Sequence, residues 1–75
     1  SSQEQRELKK QLNALERKIA KLDPKIGKIH ADMATAAETM DSGKLADLDT
    51  QLKALESERE ELEMEWLELG EQLEA

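Results

Sequence analysis

The chain has no cysteine, tyrosine or phenylalanine, and only one tryptophan and one proline among its 75 residues. Without cysteine, neither a disulfide nor a thiolate-ligated metal can brace the fold. A single aromatic ring gives no material for a thick globular core, and a chain this short makes one small domain at most. Apolar runs extend only a few residues, so no segment reads as a membrane span. The start "SSQEQREL" also lacks the apolar stretch and small-residue cleavage site of a secretory signal. A cytoplasmic location is therefore expected.

Ala, Leu, Glu, Lys, Gln and Arg dominate what is there, the composition of a coiled coil or long helical hairpin. The net charge of −7 conceals a split: residues 1–30 carry eight Lys or Arg against four Asp or Glu, and residues 31–75 carry three against fourteen. Opposite charge in two segments predicts that they pair with each other, and leaves open whether the basic one also meets phosphate.

In the first half the apolar positions are Leu8, Leu12, Leu15, Ile19, Leu22, Ile26, Ile29, Met33 and Ala36, alternating steps of four and three. Pro24 and Gly27 interrupt the composition but not the phase, since Leu22 to Ile26 is the step of four that a continuous helix requires. With Leu12 as heptad position a, Pro24 falls at f, where its missing hydrogen bond faces water. A bend near residues 20–24 is expected there, in the softest part of the helix.

The second half runs Leu45, Leu48, Leu52, Leu55, Arg59, Leu62, Trp66, Leu69 and Leu73, in a phase that does not continue the first. The reset lies in "AAETMDSGK", where Asp41 or Ser42 can cap a new helix. At the other end Ser2 and Gln5 have capping-box spacing. The prediction is an all-α, two-helix antiparallel coiled-coil hairpin, a single domain over residues 1–75. Its helices are expected over about 3–37 and 42–74, with the turn near 38–41. Leu12, Leu15, Ile19, Leu55, Leu62, Trp66 and Leu69 are named as structural core.

The register has an internal test. Leu8 with Leu73, Leu15 with Trp66, Leu22 with Arg59, Ile29 with Leu52 and Ala36 with Leu45, like the pairs between them, have residue numbers that add to 81. A palindromic seam of this kind joins a positions to d positions, the layering of an antiparallel pair. The same register brings Lys18 near Glu65 and Lys25 near Glu58 on one edge, and Glu16 near Glu63 and Asp23 near Glu56 on the other. One edge attracts and the other repels, although exposed pairs contribute under about 1 kcal/mol each. Arg59 supplies the acidic edge with a cation that can lie across Leu22 and reach Asp23, Glu56 or Glu63.

No catalytic constellation is present. His30, the only histidine, sits on the seam edge facing Asp49, and one histidine with scattered carboxylates makes no selective metal site. The carboxylates of "ESEREELEMEWLELGEQLE" read as a solvated face, and Trp66 as seam packing without a second aromatic to stack bases. No catalytic, cofactor or metal residue is assigned. The candidate nucleic-acid contacts are Lys10, Arg17, Lys21 and Lys28, flanked by Lys18 and Lys25 and joined by Arg6. They form a stripe roughly 30 Å long at 1.5 Å per residue, able to track phosphates. A solvated face that balances the acidic helix is the plainer reading of the same stripe.

The run "LNALERKIAKL" and then "LADLDTQLKALESEREELEMEWLELGEQLE" resembles the C-terminal coiled-coil domain of the ABC-F family of ATPases, as found in Uup-like members. Leu15 and Glu16, His30 after Ile29, Met33 with the alanines before the turn, Asp41, the loop "AAETMDSGKL" and the placement of Trp66 carry the likeness. The resemblance implies a non-catalytic arm of a larger cytoplasmic protein with two ATP-binding cassettes that acts on the ribosome. It also implies contact of the arm with nucleic acid, whether ribosomal RNA, tRNA or DNA. ATP would belong to the cassettes, since no Walker A glycine loop or cassette signature occurs in this sequence. Two rival readings share the architecture. A tRNA-gripping arm of a synthetase would be basic near its tip, where this chain has "ETMDSG". A dimerisation or protein-contacting spacer would use the outward apolar pair Met64 and Leu67, or the small residues of "ADMATAA".

Overall fold

The computed structural model describes residues 1–74 as two α-helices, α1 (Ser2–Glu38) and α2 (Ser42–Glu74), joined by a short turn. They lie against each other in a rod of 58 × 15 × 13 Å, an antiparallel hairpin. At 1.5 Å per residue, α1 alone accounts for about 55 Å of that length. It runs without a break through Pro24, which is exposed. Proline survives here because the carbonyl it leaves without a donor, that of Ala20, belongs to an exposed residue away from the seam.

The seam follows the heptad reading. All eighteen of its positions, including Leu12, Ile19, Leu55, Leu62 and Leu69, are buried or half-buried. Burial is deepest along one row of α1, at Leu15, Leu22, Ile29 and Ala36, where exposure falls to between 3% and 8%. In α2 only Leu48 and Leu52 are as deep, both close to the turn. Ile29, Ala36, Leu48 and Leu52 form the core cluster, with Ile26, Met33, Leu45 and Leu55 packed around it. Toward the open end the seam contains Arg59 and Trp66, both half-buried, in place of leucine. A polar head and an indole there keep part of the layer in water.

Both helix starts are capped, one of them a residue earlier than the capping-box spacing of Ser2 and Gln5 indicated. Ser1 is the cap of α1: its Oγ accepts from the Glu4 backbone N–H at 3.3 Å, and the Ser1 amino group donates to the Glu4 carboxylate at 3.5 Å. Ionised Glu4 suits the positive helix end better than neutral Gln5 does. Asp41 caps α2, its Oδ1 accepting from the Lys44 N–H at 3.0 Å. Between the helices, Met40 N–H donates to the Ala37 carbonyl (3.1 Å) and Asp41 N–H to that of Ala36 (2.9 Å). These nested bonds close the end of α1 in a Schellman arrangement, which places Met40 at φ 54° in the left-handed region.

The charged edges depart from expectation. Lys18–Glu65 and Lys25–Glu58, the pairs meant to attract, form no ion pair within 4.0 Å among the described residues, although Lys18 and Glu65 line the same surface groove. Long exposed side chains lose more rotamer freedom in pairing than such a contact returns in water. His30 likewise has no ion pair with Asp49, whose carboxylate is taken by Lys53 at 2.9 Å. That hydrogen bond raises the pKa of Lys53 above its ordinary value. Interhelical polar contacts appear instead on the repelling edge, where Arg59 Nε donates across the seam to Asp23 Oδ1 at 2.7 Å while its Nη1 donates within α2 to Glu63. Hydrogen bonds to Asp23, and then to Glu63, raise the pKa of the Arg59 guanidinium. Glu16 accepts from the Trp66 indole N–H at 3.1 Å.

Candidate nucleic-acid interface

Heptad positions f, c and g are neighbours around a helix, and together they make the side of α1 turned away from the repelling edge. Lys10 and Arg17 occupy f, Lys21 and Lys28 occupy c, and Lys18 and Lys25 occupy g. All six are exposed. Between residues 10 and 28 this side carries no carboxylate, because Glu16 and Asp23 both fall at e, across the helix. The segregation follows from spacing alone: cations recur at intervals of three, four and seven, and the two acids of the segment stand seven apart in another column.

Continuity through Pro24 is what makes these residues one surface. A chain reversal at the proline would have carried Lys25 and Lys28 away from Lys10 and Arg17, whereas the intact helix keeps all of them in one line over about 27 Å. Of the six, Lys28 is engaged within its own helix, 3.0 Å from Asp32. Lys10, Arg17, Lys18, Lys21 and Lys25 have no carboxylate within 4.0 Å among the described residues. Such an array can follow a line of phosphates by charge. Of the six, only Arg17 carries a planar donor fork, and the five lysines are point charges suited to phosphate.

Trp66 lies half-buried on the opposite edge from these cations, its N–H bonded to Glu16, and the sequence holds no second aromatic to stack bases. Glutamates of α2 are exposed along its length. Among the described residues, no group of three or more His, Cys, Asp or Glu side chains is placed to hold a metal ion, and no helix is long and apolar enough to cross a membrane. The polar contacts missed by sequence reasoning, Trp66–Glu16 above all, depend on side-chain rotamers that the heptad pattern leaves free.

No curated protein and no solved structure matches the chain. A family model does, that of the ABC transporter C-terminal domain, over residues 1–71. With that match covering nearly its whole length, and with a two-helix hairpin as its fold, the chain belongs to the ABC transporter C-terminal domain family.

Proposed function

We propose that the hairpin is the non-catalytic arm of a cytoplasmic ABC-F type, Uup-like ATP-binding protein, and that it assists contact with the ribosome or with nucleic acid through α1. The observation that carries this reading is the side of α1 that holds Lys10, Arg17, Lys21 and Lys28 exposed and has no carboxylate between residues 10 and 28. ATP binding and hydrolysis belong to the cassettes of the parent protein. The arm itself contributes charge and reach: it tracks the phosphates of ribosomal RNA, tRNA or DNA while the acidic α2 stays on the far side.

Lysine and arginine that neutralise phosphates release counterions, so binding weakens steeply with salt. Four contacts give a log–log slope of roughly −3 to −4. Sequence preference is slight. Changing Lys10, Arg17, Lys21 and Lys28 together to Glu abolishes binding of the hairpin to RNA and DNA in a low-salt titration, and leaves its helical circular dichroism in place. Equal binding by the parent and the quadruple variant, or no affinity of the parent at low salt, would overturn the reading. The hairpin would then be a protein-contacting spacer.

A further inference from the structure

The repelling edge of the hairpin is also its apolar edge. A surface groove there is lined by Glu16, Ile19, Ala20, Asp23, Glu63 and Trp66. Around a helix, positions a, e, b and f follow one another, so the strip on α2 runs from Trp66 at a, past Glu63 and Gly70 at e, to Leu67 at b and Met64 at f. Leu67 and Met64 are 55% and 58% exposed, among the largest apolar side chains left in water. By helical position Leu67 adjoins the groove, and Met64 lies next to Leu67, farther round toward the outer face of α2. A β-carbon added at Gly70 would meet nothing within 4 Å, so there is open space beside the strip.

The rim of this surface is acidic on both helices. Glu16 and Asp23 border it on α1, and Glu56, Glu60 and Glu63 on α2. Arg59 is the only cation in this stretch of α2, and its two hydrogen bonds to Asp23 and Glu63 are already made. Carboxylates four residues apart along a helix, such as Glu56 and Glu60, repel each other, and exposed Met64 and Leu67 gain nothing from water. Neither feature returns anything within the hairpin itself.

We propose that this edge is a docking groove for a basic amphipathic helix of a partner protein. A helix lying between α1 and α2 buries Met64, Leu67 and the open face of Trp66 under apolar residues at intervals of three and four. It also sets Lys or Arg against Glu16, Asp23, Glu60 and Glu63. Ala20 and Gly70, with little or no side chain, let its backbone come close. A second copy of the hairpin docked edge to edge is a poor occupant, because it would bring the same acidic rim against this one. The groove lies across α1 from the cationic stripe, so a partner helix and a nucleic acid do not compete for it.

Trp66 is the sole tryptophan and serves as the reporter. The hairpin is titrated at physiological salt with a synthetic 18-residue amphipathic helix of Lys, Leu and Ala, and with a scrambled peptide of the same composition. The amphipathic peptide shifts the Trp66 emission and forms a one-to-one complex in sedimentation, and the scrambled peptide binds at least about tenfold more weakly. Changing Met64 and Leu67 together to Ser weakens the complex at least about tenfold, as expected for two exposed side chains that become buried. Ala20→Arg, which adds bulk and a charge of the same sign as the peptide, does the same from the α1 side. Changing Lys10, Arg17, Lys21 and Lys28 to Glu does not weaken it, so loss of nucleic-acid binding and loss of this site are read separately. Equal binding of the two peptides, indifference to the Met64 and Leu67 changes, or no binding at physiological salt would overturn the proposal. So would a homodimer, formed without peptide, that those changes dissociate.

Discussion

At the tip, Met40 sits at φ 54° with its side chain 89% exposed. The left-handed conformation costs an ordinary L-residue about 1 kcal/mol, and glycine adopts it freely. Met40→Gly should therefore stabilise the hairpin by about 1 kcal/mol in urea denaturation, with no seam contact changed. The sequence pointed to this turn but not to this residue: Gly43, the nearer glycine, lies within the first turn of α2. Side-chain partners were similarly only half legible. Arg59 was readable as the cation of the acidic edge, yet its choice of Asp23 and Glu63 over Glu56 is a matter of rotamers. Arg59→Ala should lower the melting temperature, and the loss should shrink as salt rises, since the contacts it removes are solvent-exposed and screened. Thermal circular dichroism at low and high salt checks both points.

Helix α1 is a 37-residue element with two poor helix formers near its middle, and the seam keeps it whole. Leu22, two residues before Pro24, is 5% exposed, and Ile26, two residues after, is packed against the core cluster. Tertiary packing thus holds both sides of the weak point in register. Gly27→Ala meets no atom within 4 Å of its new β-carbon and should stabilise by about 0.5–1 kcal/mol. Pro24→Ala restores a backbone donor on the exposed side and should raise the urea midpoint or leave it unchanged. Amide exchange checks the reading of the element itself: residues 20–28 should be slower than a free loop, and loop-like rates would contradict a continuous helix. This much was legible because heptad phase is a long-range signal, and one proline cannot disguise nine positions in step. Cap positions rest on one or two side chains, and there the reading placed the first cap at Ser2 when Ser1 holds it.

As a whole molecule the rod is tied at one end only. The turn half holds the core cluster, while the open half relies on Leu15 and Leu22 among half-buried neighbours. Cysteines introduced at Leu12 and Leu69 should crosslink within one chain at any protein concentration, as non-reducing electrophoresis would show, because the register sets them across the same layer. The uneven seam also bears on how the hairpin is made. Contacts beside the turn join residues close in the chain, whereas Asp23 and Arg59 are 36 residues apart and Glu16 and Trp66 are 50 apart. Loop-closure entropy rises with that separation, so the layers nearest Ala36 and Leu45 can form first and shorten the loop that each later layer must close. Folding then proceeds as a zipper started at the turn. Truncations at Leu48 or Ile29 should slow refolding, whereas truncations at Leu12 or Leu69 should leave the refolding rate nearly unchanged and speed unfolding.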